Sequence, residues 1–175
     1  MDALPPPRRV TLIERLFAAL RLDRSLYEEA SVNADSLGQA VMVVLLGGAL
    51  NGAGLMHRIG DAGIWAGIFA ASLGWLAWTV VITLVARVLR LRREGRSLLR
   101  PLAFGTAPNV FLVLVMFPEV AQWVRAAVVV WLMATTVVAV QAAYGVGRGR
   151  ALALALVGFV VYAGVDVVLS IVLGS

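Results

Sequence analysis

The sequence predicts an all-α, polytopic integral membrane protein with five transmembrane helices, the third short and proline-broken, preceded by an N-terminal amphipathic helix. Three observations predict it. First, 61% of the 175 residues are hydrophobic and 14% charged, with a mean hydropathy of +0.92, whereas soluble domains run roughly 45–50% apolar and about 25% charged. Second, the apolar residues fall in five long, predominantly apolar stretches. Third, the basic residues crowd the alternate connections between those stretches.

Residues 1–35 form a cytosolic segment. Met1 to Arg9 passes through Pro5, Pro6 and Pro7 into charged sequence with no apolar run of the signal-peptide kind. Thr11-Leu12-Ile13-Glu14 then has capping-box spacing, a hydroxyl able to accept from the N–H three residues on and a carboxylate able to reach back. Ile13, Leu16, Phe17 and Leu20 follow at helical spacing, while Glu14, Arg15 and Arg21 fall elsewhere. The spacing predicts an amphipathic helix over residues 11–22, lying in the membrane interface with its arginines toward anionic headgroups. Ser25 to Glu28 repeats the capping spacing, and Ser36 to Gln39 repeats it where the first span begins.

Residues 36–175 form the membrane domain. A helix needs about 20 apolar residues to cross a hydrocarbon core about 30 Å thick, and candidates occupy Ser36–Met56, Ala62–Ala86, Pro101–Phe117, Trp123–Tyr144 and Ala151–Leu173. Pro101 opens the third and Pro108 breaks it, because an internal proline removes a backbone hydrogen bond and clashes with the preceding turn. Gly48 with Gly52, and Gly63 with Gly67 and Ala71, place small residues four apart, which lets helix backbones approach within the chain. Trp65, Trp123 and Tyr144 sit where aromatic belts lie, whereas Trp75, Trp78 and Trp131 lie deeper, as packing residues.

Orientation follows from arginine, which supplies all fifteen basic residues. Residues 1–35 hold five, residues 87–100 six and residues 145–150 two, against Arg58 and Arg125 on the other side. The positive-inside rule puts the N-terminus in the cytosol and, after five crossings, the C-terminus outside. Richness in arginine without lysine, beside Ala, Val, Gly and Leu, fits GC-rich, bacterial coding, hence a cell inner membrane.

Chemistry is sparse. With no cysteine and one histidine, His57, disulfides, thiol nucleophiles and multi-histidine metal sites are excluded. Without lysine there is no phosphate loop. A pI near 11 serves membrane orientation, not nucleic acid. No cofactor and no catalytic residue are expected. Two polar residues lie inside spans: Asp166, by default a functional-site candidate at that depth, and Asn51, whose simplest role is a helix-to-helix hydrogen bond. Arg15, Arg21, Arg90, Arg92, Arg93 and Arg96 are the candidate cytosolic face for anionic lipid or a protein partner.

The stretch RLDRSLYEEA, the basic connection leading into EGRSLLRPLAFGTAPNVF, and five closely spaced spans resemble the Yip1 domain family of small integral membrane proteins, over about residues 16–173. Leu26-Tyr27, Gly95 with Ser97 and Leu98, and Phe104 to Phe111 carry the local likeness. The resemblance implies a membrane-organising protein that interacts with other membrane proteins or with its own kind and performs no chemistry. Eukaryotic members are associated with Rab GTPases and with vesicle traffic; this chain departs from them in its short, arginine-bearing N-terminal segment. The alternative is a small transporter or channel subunit using Asp166, Asn51 and the broken third span.

Overall fold

The computed structural model describes residues 10–54, 56, 60–91 and 95–172, apart from the side chains at 161, 162, 165, 166, 168–170 and 172. Every regular element among them is helical. In chain order these are α1 (Leu12–Leu20), α2 (Arg24–Val32), a 3-10 turn (Ala34–Ser36), α3 (Leu37–Ala53), α4 (Ala62–Val88), α5 (Leu99–Gly105), a 3-10 helix (Ala107–Met116), α6 (Pro118–Tyr144) and α7 (Arg148–Val172). Among the described residues, four stretches are long and apolar enough to cross a membrane: Ala34–Ala53, Ala62–Val88, Leu99–Met116 and Pro118–Tyr144. The fifth expected span corresponds to α7, 25 residues long.

Neighbours form a closed circuit in which α3 packs on α4, α4 on α7, α7 on α6, α6 on the 3-10 helix, and the 3-10 helix back on α3. Helix α5 packs between α3 and α6, and α2 lies against α5 and α6. The core is concentrated where these last elements meet, around Tyr27, Trp78, Leu102, Phe104 and Val140, all within 1% of full burial. The first half of α6 instead turns Trp123 and Val130 outward, 69% and 70% exposed, and α4 exposes Trp65, Phe69, Val80 and Leu84. So much outward apolar surface suits a lipid solvent, where exposed hydrocarbon carries no penalty.

Glycine sets the α3–α4 contact. A Cβ at Gly48 would lie 2.8 Å from the Gly67 carbonyl oxygen and 2.9 Å from the Ala71 Cβ, and one at Gly52 would lie 2.8 Å from the Ile64 Cα. The small residues read from the sequence thus face each other within one chain. A second close approach seats Trp78 on the bare backbone of Gly158, with the Phe159 ring edge-on at 6.1 Å.

The third segment resolves its shortness by changing helix type. The α-helix ends at Gly105, ahead of Pro108, and the chain continues for ten residues as 3-10 helix. Seven α-helical residues at about 1.5 Å each and ten 3-10 residues at about 2 Å each rise about 30 Å, where a continuous α-helix over the same residues would fall about 5 Å short. Helix boundaries elsewhere differ modestly from expectation. Helix α6 starts five residues before Trp123 because Pro118, at its first position, has no N–H to satisfy there.

Only the first of the three capping boxes forms in full. Thr11 Oγ1 accepts from the Glu14 N–H while Glu14 accepts from the Thr11 N–H at 2.8 Å. Helix α2 is capped by Asp23, which accepts from both the Ser25 N–H and its hydroxyl, so the box at Ser25–Glu28 does not exist. At Ser36 there is no side-chain cap; its hydroxyl donates to the Asn33 carbonyl, and Gln39 reaches the Val10 carbonyl instead.

Candidate functional site

Helices α1 and α2 form a hairpin against the bundle, and its apolar stripe divides. Leu12, Leu16 and Leu20 pack on the core, whereas Ile13 and Phe17 point outward, 65% and 55% exposed. The stripe therefore does have protein to cover, and only its Ile13–Phe17 edge is available to another surface. The hairpin is pinned at its turn. The Trp131 indole N–H donates to the Leu20 carbonyl at 3.1 Å, satisfying a group that the end of α1 leaves open, and Phe111 stacks on Trp131 at 5.4 Å. The Tyr27 hydroxyl donates to the Ala19 carbonyl at 3.1 Å, and burial pushes its phenol well above the ordinary tyrosine range.

Arg15, expected among the exposed arginines, is buried. It is 9% exposed, donates to Glu29 Oε1 at 2.8 Å and lies over the Phe104 ring with 5.8 Å from guanidinium carbon to centroid. Asn33 donates to the same Glu29 oxygen at 2.7 Å. Desolvation of a charge is offset only by a partner and good geometry, and here the partner stands fourteen residues on in another helix.

The connection from α4 to α5 joins this hairpin to the bundle. The Ser97 N–H and Arg100 Nη2 both donate to the Ser31 carbonyl at 2.9 Å, and Arg96 Nη1 donates to the Ala142 carbonyl at 2.7 Å. Of the six arginines expected on one face, Arg21 and Arg90 are exposed, Arg96 is half-buried in this structural role, Arg15 is buried, and Arg92 and Arg93 lie outside the described residues. Arg87 and Arg148 add exposed guanidiniums that the candidate set did not include. Arg90 ends α4 in the left-handed region at φ 56°, where the Leu91 N–H closes back on the Ala86 carbonyl at 2.8 Å.

The intramembrane candidates are less connected. Asn51 is half-buried in the last turn of α3. Asp166 is on α7, but its side chain lies outside the described residues. At the break before Pro108, Asn109 is 4% exposed, its Cβ against Gly47, with Oδ1 lacking a protein partner. Among the described residues no three His, Cys, Asp or Glu side chains gather as a metal site. The chain matches no protein-family model, no curated protein and no solved structure.

Proposed function

We propose that the chain is an integral membrane interaction protein of the Yip1 type, without catalytic activity of its own, that organises a membrane through one cytosolic face. That face combines the N-terminal hairpin with the arginine-bearing connection, in an inner membrane that α7 crosses as a fifth span, leaving the N-terminus cytosolic and the C-terminus outside. The observation that supports it is the pair of hydrogen bonds to the Ser31 carbonyl. They hold two basic segments, 66 and 69 residues apart at the bonded positions, against each other. The occupants of that face are anionic lipid headgroups together with a second copy or another membrane protein.

The test is crosslinking and capture from native membranes, comparing wild type with a variant in which Arg21, Arg90, Arg92 and Arg93 are changed to glutamate, and with Asp166→Asn. Capture and bilayer binding lost in the first variant and retained in the second support the reading. One observation favours the alternative of a transporter: the helix break with the unpartnered Asn109 carbonyl oxygen inside the bundle, since discontinuous helices build solute sites in transporters. Proteoliposomes that move an ion or solute, and stop doing so in Asp166→Asn, would establish it.

A further inference from the structure

A cleft of about 710 Å³ with both polar and apolar lining opens beside the C-terminal end of α4. It is lined by Thr79, Thr83 and Arg87, four residues apart on α4, by Arg96 and Ser97 of the following connection, and by Tyr144 at the end of α6. Among the described residues, two guanidiniums line it and no carboxylate does. Arg96 is tethered at the cleft by its Nη1 bond to the Ala142 carbonyl. Arg87 is exposed and has no ion-pair partner among the described residues. The Tyr144 hydroxyl donates to Thr83 Oγ1 at only 3.4 Å, a bond long enough to be exchanged for a better acceptor. On α4 the flank carrying Thr79 and Thr83 borders the outward apolar stripe of Leu76, Val80 and Leu84, which are 43%, 53% and 51% exposed.

From this juxtaposition we infer that the cleft is a binding site for the headgroup of an anionic glycerophospholipid, with its acyl chains along the Leu76–Val80–Leu84 stripe. A guanidinium fork suits a phosphate diester, which accepts two parallel hydrogen bonds from it. A second guanidinium with hydroxyl donors beside it completes the set. The apolar stripe distinguishes this site from one for a free anion, because a soluble phosphate gains nothing from hydrocarbon next to it. The inference rests on the proposed cytosolic face and narrows it to a lipid class and to two residues, Arg87 and Arg96, of which Arg87 lay outside the expected set.

The test uses the full chain, purified in mild detergent, delipidated and titrated with phosphatidylglycerol, with phosphatidylcholine, with diacylglycerol and with inorganic phosphate, and read by native mass spectrometry. Phosphatidylglycerol retained at least tenfold better than the two uncharged or zwitterionic lipids, undisplaced by millimolar phosphate, and weakened at least tenfold by Arg87→Gln supports the site. Arg87→Gln removes an exposed side chain and leaves the fold intact; Arg96→Gln is the harsher companion, checked for monodispersity. Arg125→Gln, at an exposed arginine nineteen residues before Tyr144 on α6 that does not line the cleft, should retain lipid as wild type does. Equal retention of phosphatidylcholine, displacement by phosphate, or unchanged phosphatidylglycerol binding in Arg87→Gln would overturn it. Labelling of Arg148→Cys from either side of sealed vesicles reports sidedness separately. A lipid site on the outer face would therefore contradict the topology and leave this inference standing.

Discussion

Replacing Gly48 by alanine tests whether the α3–α4 contact is closed by backbone or merely by proximity. The added methyl would meet the Gly67 carbonyl oxygen at 2.8 Å and the Ile68 Cα at 2.9 Å, against about 3.5–4.0 Å for comfortable carbon contacts. Both obstacles are main-chain atoms of a long helix, so they cannot rotate away, and the helices must part by roughly 1 Å. Overpacking of this kind costs about 1–3 kcal/mol, while the better helix propensity of alanine returns up to about 1 kcal/mol. The net expectation is a loss of about 1–2 kcal/mol, which in a chain of this size lowers the melting temperature by roughly 2–8 °C. Gly67→Ala, whose methyl would run into the backbone of Gly48 and Gly52, should do at least as much. Gly38→Ala, near the start of α3 with nothing within 4 Å, is the control and should be neutral or slightly stabilising. The assay is intrinsic tryptophan fluorescence during thermal unfolding in one detergent, with oligomeric state followed by light scattering. Alanine at 48 and 67 as stable as at 38 would refute the packing argument. A shift in oligomeric state at unchanged stability would instead assign these glycines to a contact between chains.

Other perturbations follow from the same geometry. Trp131→Phe keeps an aromatic ring, though a smaller one, and leaves the Leu20 carbonyl without its donor, at a cost of about 0.5–1.5 kcal/mol for the hydrogen bond with lost packing in addition; limited proteolysis between α1 and α2 should accelerate. Glu29→Gln should destabilise by about 1–3 kcal/mol by leaving Arg15 charged and largely buried without its anion, and adding Arg15→Met should recover part of the loss in a double-mutant cycle. Leu22→Gly relieves a left-handed backbone at φ 59° and should raise stability by a few tenths to about 1 kcal/mol, read as a higher melting temperature. Because folding raises the Tyr27 phenol above its ordinary value of 10.0, the unfolded chain loses that proton first, so stability is full below that pH and declines as pH rises through it. Tyr27→Phe should flatten the alkaline limb of the stability–pH curve.

Local signals and composition were the legible part of the fold. The Thr11–Glu14 box, four of the five apolar stretches and the proline break appear where their spacing indicates, because each is set by signals close together in the chain. What spacing could not rank was competition between caps. Asp23 and Ser25 each suit a cap, and the carboxylate, accepting two bonds, takes the position and leaves Ser25 inside the helix. Nor could Pro108 reveal that the broken span would lengthen itself as 3-10 helix, because that depends on the distance its neighbours make it cover.

For the candidate face, the sequence marked the basic segments but not which of their arginines are exposed. A count of arginines identifies the basic end of the molecule, but whether a given arginine faces solvent depends on partners far away in sequence. Arg15 turns inward because Glu29 and Phe104 are there to receive it, and Arg96 is committed to the Ala142 carbonyl forty-six residues on. Glycine spacing similarly showed that close approach was available, without showing that the partners were one another. Trp131 was expected as packing; its hydrogen bond to the end of α1 has no sequence signal, since any open carbonyl of any helix would serve.

The account depends most on which side of the membrane each connection occupies, and the absence of cysteine makes the chain its own background for single-cysteine labelling. Ser25→Cys, Asp61→Cys, Arg148→Cys and a cysteine at Ser175 would be probed in intact cells with a membrane-impermeant maleimide, before and after permeabilisation. Five crossings with a cytosolic arginine face predict that positions 61 and 175 label at once and positions 25 and 148 only after permeabilisation. Protection of position 175 together with 148, or immediate labelling of position 25, would contradict it.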